Sequence, residues 1–200
     1  MDKPAKIDHP IHDLLRTRWS PRSFDSRSIE PAKLKSLLEA ARWAPSSYNE
    51  QPWAFLVGIK DQPADFAKVL ECLIEFNRGW AGAAPVVLLT VAHLSFDKNG
   101  QPNRHAFHDV GLAMANLTVQ ATAEGLEVHQ MAGILPDRAK ELFSIPDGWE
   151  PVTGVAIGYP GDPNALSEQL RERELAERTR KPLSSFVFSS GWSKPSSVLS

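Results

Sequence analysis

A chain of 200 residues, 42% hydrophobic and 23% charged, can bury one real core, and its composition excludes disordered, collagen-like and disulfide-rich classes. A formal net charge of −2 supplies no basic field for nucleic acid or an anionic membrane, so neither is expected as a partner. The one cysteine, Cys72, leaves no internal disulfide and fits a reducing, cytoplasmic setting.

Residues 1–13 hold no apolar run of the kind a secretory signal needs. A first helix is expected from His9 to Arg18, capped by Asp8, with Pro10 in its first turn and Ile11, Leu14 and Leu15 on one face. An irregular stretch, Trp19 to Ile29, follows. Pro31 opens a second helix whose stripe is Leu34, Leu37, Leu38 and Ala41, and Pro45 ends it. The loop Pro45–Pro52 feeds an apolar strand, Trp53–Ile59. A third helix is expected over Ala64–Glu75, with Phe66, Val69, Leu70 and Leu73 inward. Asn77–Ala84 reads as a loop rich in small residues.

Val86–Ala92 has the composition of a strand buried on both faces, and with Pro85 it is far too short to span a membrane. A turn-rich excursion, Asp97–Asn103, leads to the longest helix candidate, His105–Glu124, which Gly125 stops. That helix is apolar most of the way round, which places it in a core or a subunit interface. Leu126–Met131 is a short extended segment, Asp137–Phe143 a short helix and Val152–Tyr159 a strand. Leu166–Arg178 is highly charged, a solvated helix or an arm. Residues 184–200 carry Phe186, Val187, Phe188 and Trp192 among serines, too few for a domain, and read as an arm on a single domain of residues 1–200. The alternation of helices and strands predicts a mixed α/β layer fold.

Several familiar signatures are absent: no GxGxxG follows a strand, and there is no GxxxxGK[ST] or GxSxG. His105, His108 and Asp109, and likewise His9, His12 and Asp13, have metal-like spacing. Neither set has the further ligands a metal needs, so no metal is expected there.

Three segments carry chemistry. In Arg18-Trp19-Ser20-Pro21-Arg22-Ser23-Phe24, two arginines flank a hydroxyl, and arginine makes forked, charge-assisted bonds to phosphate. In Ala44-Pro45-Ser46-Ser47-Tyr48-Asn49-Glu50-Gln51-Pro52-Trp53, two prolines bracket hydroxyls and amides that can bond a polar ring edge or a sugar-alcohol chain. Arg178-Thr179-Arg180-Lys181-Pro182-Leu183 is a second cationic knot. Taken singly, each also reads as a solvated surface feature or an ordinary turn.

Taken in order, these segments resemble the FMN-dependent nitroreductase family. So do Glu124-Gly125-Leu126, Met131-Ala132-Gly133-Ile134 and Ile157-Gly158-Tyr159-Pro160, and the likeness runs from about Ile11 to Phe188. The resemblance implies an α/β (α+β) three-layer fold, a central mixed sheet flanked by helices, and an intertwined homodimer that shares FMN sites. It implies that Arg18, Arg22, Arg178 and Arg180 surround the FMN phosphate, with Ser20 there or at the ring's polar edge. Pro45, Ser46, Ser47, Asn49 and Gln51 of the other subunit would line the ring and its side chain. Met131, Ala132 and Gly133 would lie at the reactive edge, and Asn77 and Trp80 in the loop facing the substrate. Larger members often carry an acid where Ala132 stands.

The activity implied is hydride transfer from NAD(P)H through flavin N5 to small electron-poor acceptors, nitroaromatics and quinones, by a ping-pong scheme with no catalytic side chain. Two alternatives share these residues: a flavin-binding module without turnover, and a specialised reaction such as reductive dehalogenation.

Overall fold

The computed structural model describes residues 3–199, so Met1, Asp2 and Ser200 lie outside the described part. Four strands form one sheet in the order β1-β2-β4-β3. They are β1 (Trp53–Ile59), β2 (Val86–His93), β3 (Glu127–Met131) and β4 (Trp149–Gly158). Every pairing is antiparallel, which corrects the expected mixed sheet. The reason lies in the connections. Two short helices return the chain to the end β1 left, so β2 runs opposite to β1. One long helix follows β2, so β3 runs the same way as β2. β4 then inserts between those two, opposite to both, and no parallel neighbours remain.

Helices cover both faces, giving the three layers expected. On one side α2 (Pro31–Arg42) packs along α5 (Ala106–Ala123). On the other lie α3 (Pro63–Glu71), α4 (Glu75–Ala81) and α6 (Pro136–Phe143). α1 (Asp13–Thr17) and α7 (Glu168–Leu175) sit near the two ends of the chain. The sheet divides its side chains by the two-residue period of a strand. Val86 and Leu88 of β2 and Val155 and Ile157 of β4 enter the α2–α5 core, whereas Val87, Leu89 and Ala156 enter the other. Each fully buried leucine, such as Leu37, Leu88 or Leu117, contributes about 1.5–3 kcal/mol by leaving water. α3 lies so close to β1 that a Cβ on Gly58 would stand 2.8 Å from the Phe66 Cα, so only glycine fits there.

Several expected boundaries move. The first helix spans only Asp13–Thr17, and His12 caps it, its Nδ1 accepting from the Leu14 N–H at 3.2 Å. Pro10 holds His9 out of helical geometry, and Asp8 lies too early to act. The presumed loop Asn77–Ala84 is largely α4, which overrides the low helix propensity of Asn77 and Gly79 because Asn77, Trp80 and Ala81 are buried by packing. α3 ends at Glu71, yet Leu73 still points inward, bridged to Ile134. β4 begins earlier than expected, at Trp149. The charged stretch Leu166–Arg178 forms α7 over eight residues and is not wholly solvated, for Glu174 is only 1% exposed. The arm holds two short 3-10 turns, Leu183–Ser185 and Ser197–Leu199, and an isolated antiparallel bridge between Phe188 and Pro195. No helix among the described residues is long and apolar enough to cross a membrane.

Candidate active site

The segment from Arg18 to Phe24 is extended and held from three directions. Phe24 bridges to Pro160, just beyond β4, and the Ser23 hydroxyl donates to the Asp162 carbonyl at 2.6 Å. His129 on β3 meets the Pro21 carbonyl at 2.8 Å through Nδ1. A carbonyl only accepts, so that nitrogen carries the proton. From α7, the buried Glu174 carboxylate accepts the backbone N–H of Arg22 at 2.9 Å and that of Ser23 at 3.1 Å.

These anchors gather residues from both ends of the chain. Lys3, Arg18, Ser20, Arg22, Arg173, Arg178 and Arg180 line one cavity of about 230 Å³, with Glu174 and Glu177. Arg178, 160 positions from Arg18, donates to the Arg18 carbonyl at 2.7 Å and to the Arg16 carbonyl at 3.2 Å, and also bonds the Lys3 carbonyl. It thereby supplies donors to the last carbonyls of α1, which have no partner within the helix. Lys3 Nζ donates to the carbonyls of Glu174 at 2.5 Å and Ala176 at 2.6 Å.

The cluster is electrostatically unbalanced. Burial and then the charge of Arg180 lower the pKa of Arg18, and burial with the charges of Arg18 and Arg180 lowers that of Arg178. Burial likewise lowers Arg22, whose Nε is buried without a hydrogen-bond partner. Converging cations and an orphaned guanidinium donor fit a dianionic phosphate with several acceptor oxygens. Glu127, the first residue of β3, is pushed up to about 7 by burial, against the pull of Arg18 and Arg178, and its Oε2 has no partner. His129 is pushed down to about 4 by burial and the charge of Arg22, so it is neutral at pH 7.

Met131, the last residue of β3, is buried, and Ala132, just beyond it, is exposed. Gly133 packs against α4: a Cβ there would stand 2.5 Å from Ile74 Cδ1 and 2.6 Å from Asn77 Nδ2. Its carbonyl accepts from the Ile74 N–H at 3.2 Å and from Asn77 Nδ2 at 3.0 Å. Asn77 is thus committed within the protomer. Trp80 packs between Phe24, at 6.4 Å between ring centroids, and His129, at 4.6 Å.

The second segment stands elsewhere. Ser46, Ser47, Asn49 and Gln51 belong to the loop before Trp53, and Trp53 pairs with Ala92. The arginine cluster lies beside Glu127 and Gly158, at the end of the sheet where Ile59, Val86 and Ile157 meet. The seven residues of β1 separate the two ends by about 20 Å. The loop is wound tightly, with Tyr48, Asn49 and Gln51 all in the left-handed region, at φ of 54°, 57° and 53°. Such backbone is costly for residues other than glycine and persists where its surroundings enforce it. The enforcement comes from Ser46, whose Oγ accepts from the Gln51 N–H at 3.0 Å, and from Asp109 on α5, whose carboxylate accepts from the Ser47 N–H at 2.9 Å. Pro45, Asn49 and Gln51 are exposed.

The structure therefore brings Arg18, Ser20, Arg22, Arg178 and Arg180 together near the start of β3, with Met131 at the end of that strand and Ala132 and Gly133 just beyond it. It sets Pro45, Ser46, Ser47, Asn49 and Gln51 apart at the opposite end. Sequence reasoning passed over Glu174, Glu127, His129 and Lys3, and weighed Asp109 only as a metal ligand beside His105 and His108. Only Asp109 left a readable signal, an acid on the stripe Ala106, Val110, Ala113 and Leu117 of an otherwise apolar helix. His108, considered as a ligand, meets Asp109 Oδ1 through Nδ1 at 3.0 Å.

The profile of the nitroreductase family matches residues 15–159. The chain belongs to the nitroreductase family. Among members of this family, the chain is similar to a solved oxidoreductase containing FMN, with 35% identity and a TM-score of 0.89 over 94% of this chain and 96% of that one. It is 28% identical to a putative NADH dehydrogenase/NAD(P)H nitroreductase of Methanothermobacter thermautotrophicus, over 80% of this chain and 81% of the relative. It is 26% identical to an FMN reductase [NAD(P)H] of Bacillus subtilis, over 82% and 73%. The nitroreductase match ends at Tyr159, before Arg178 and Arg180, so contact geometry alone joins the second arginine knot to the first.

Proposed function

We propose that this chain is an FMN-dependent oxidoreductase that takes electrons from NAD(P)H and passes them to small electron-poor acceptors such as nitroaromatics and quinones. The observation that carries this reading is the buried cationic cluster built from residues at both ends of the chain, with an unpartnered Arg22 donor inside it.

FMN, when bound, would supply the redox chemistry, hydride transfer through N5 between NAD(P)H and the acceptor in a ping-pong scheme. The protein supplies place and charge. Arg18, Arg22 and Arg180, with Ser20, hold the phosphate, and Arg178 ties the N-terminal turn to that site. Met131, Ala132 and Gly133 offer backbone at the reactive edge, and Gly133 keeps the strand close to α4. Neutral His129 adds no charge beside the ring, and Trp80 and Asn77 brace that wall.

The loop carrying Pro45, Ser46, Ser47, Asn49 and Gln51 lies too far from its own arginines to share a flavin with them, so it serves the site of a second copy. Two surfaces support a homodimer with shared FMN sites. Phe107, Gly111 and Ala115 lie one helical turn apart on the exposed side of α5. Phe186, Trp192 and Val198 in the arm of residues 184–200 are 58%, 89% and 78% exposed on the protomer. The rest of residues 1–200 is one nitroreductase-like domain, and buried Cys72 suits the reducing cytoplasm.

Absorbance of the purified protein, followed anaerobically on adding NADPH and then NADH, tests the reading. Flavin bands that bleach within seconds and return with a nitroaromatic or quinone are expected. Bands that never bleach would reduce the protein to a flavin-binding module, and no flavin after reconstitution would remove FMN altogether. Sedimentation is expected to give a dimer, and a flavin-loaded monomer would contradict the shared site.

A further inference from the structure

Glu174 is the unexplained charge in this site. It is among the most deeply buried side chains of the molecule, yet it lies on α7, a polar helix where Leu170 alone of the other residues is even half-buried. It is one of the residues around the cavity lined by Arg18, Arg22, Arg178 and Arg180. By Coulomb's law alone, a fixed anion there repels a phosphate and weakens its binding. Burying a carboxylate is also costly unless hydrogen bonds satisfy it.

The contacts of Glu174 answer both points. The hydrogen bonds to its carboxylate come from two successive backbone amides: Arg22 N–H lies 2.9 Å from each oxygen and Ser23 N–H 3.1 Å from Oε1. Converging backbone N–H groups make a good anion seat. The carboxylate thus fixes the main chain at Arg22, while the Arg22 side chain keeps an unpartnered Nε. The main-chain carbonyl of Glu174 receives Lys3 Nζ, and Arg178 bonds the Lys3 carbonyl. One residue therefore joins the Arg22 backbone, the N-terminal segment at Lys3 and the Arg178 clamp.

We propose that Glu174 is a positioning residue of the phosphate subsite: it holds the Arg22–Ser23 backbone so that the Arg22 guanidinium meets the phosphate, and it does not touch the ligand itself. This rests on the FMN reading of the preceding section. Its effect is confined to the phosphate end, so it governs the preference for FMN over riboflavin, which shares the ring and lacks the phosphate.

The test is titration of the apoprotein with FMN and with riboflavin, in wild type, Glu174→Gln and Glu174→Asp. The glutamine keeps length and loses charge, while the aspartate keeps charge and loses reach. Circular dichroism selects folded protein, and hydrogen exchange reads the protection of the Arg22 and Ser23 amides. Both variants are expected to lose that protection and to bind FMN about tenfold or more weakly, the loss of one hydrogen bond to a charged group, with riboflavin affinity unchanged. Tighter FMN binding by Glu174→Gln would make Glu174 a repulsive charge only and overturn the proposal. Unchanged FMN affinity, parallel losses for both flavins, or failure of both variants to fold would overturn it as well. Wild-type protein that binds neither flavin would overturn the functional reading and, with it, this inference.

Discussion

The two candidate ligand regions of this chain are built on opposite principles. The arginine cluster is assembled from distant sequence: Lys3, Arg18, Arg22, Glu127, Glu174 and Arg178 meet only because β3, the segment after β4 and α7 converge at one end of the sheet. Its difficulty is electrostatic, like charges desolvated together, and a bound dianion relieves it. The Ser46–Gln51 loop is local. Its cost is conformational, three non-glycine residues at positive φ, and buried Asp109 with the Ser46 hydroxyl sustains it. The contrast teaches that half a site can be complete in charge and the other half complete in shape while neither suffices alone. About 20 Å of sheet lies between them, so the shared site proposed above needs a second copy to bring the halves together.

The largest expected effect falls on the electrostatic half. Arg22→Ala combined with Arg180→Ala removes two phosphate donors, each worth about 1.5–3 kcal/mol as hydrogen bonds to a charged group. FMN affinity should fall roughly a hundredfold or more, so that flavin no longer survives gel filtration. Unchanged occupancy in the double variant would take the phosphate away from this cluster.

Asp109→Ala probes the shape half. It leaves the Ser47 N–H without its acceptor, a loss of about 1–3 kcal/mol for a buried donor. A lower Tm together with weaker FMN binding is expected, and riboflavin should suffer as much as FMN because the phosphate end is untouched. If Asp109→Ala lowered Tm and left binding of both flavins intact, the loop would have no part in the site.

The smallest effect concerns Glu127 and is read in the apoprotein. Its folded-state pKa, raised to about 7, lies above the ordinary carboxylate value. The stability it contributes is therefore full at acid pH and is lost as pH rises through about 7. His129 has the opposite sign: its folded value, about 4, lies below the ordinary histidine value, so its contribution is present above pH 6.5 and lost as pH falls through about 4. Both proteins share His129, so Glu127→Gln against wild type isolates the carboxylate. Urea midpoints should nearly agree at pH 4.5, with the variant more stable at pH 8. An equal difference at both pH values would show that Glu127 does not titrate in this window.

Much of the architecture was legible in local chemistry. The stripe Leu34, Leu37 and Ala41 and the apolar run of β2 gave helix and strand because a period of 3.6 or 2 is a property of the chain itself. α4 was not legible, since Asn77, Gly79 and Trp80 favour no helix until burial against Gly133 and His129 decides for them. The candidate ligand residues were legible as types, arginines for an anion and amides for a ring edge, because side-chain chemistry is fixed at synthesis.

By itself, the sequence determined the element pattern, the family and the kinds of groups on offer. Tertiary structure alone decided the antiparallel order of the sheet, because it depends on which strand inserts between which. It also decided that Arg178 spends donors on carbonyls, that Glu174 lies buried beneath Arg22, and that the two halves of the site stand at opposite ends. Those outcomes depend on distances between residues far apart in the chain, and no local spacing encodes them.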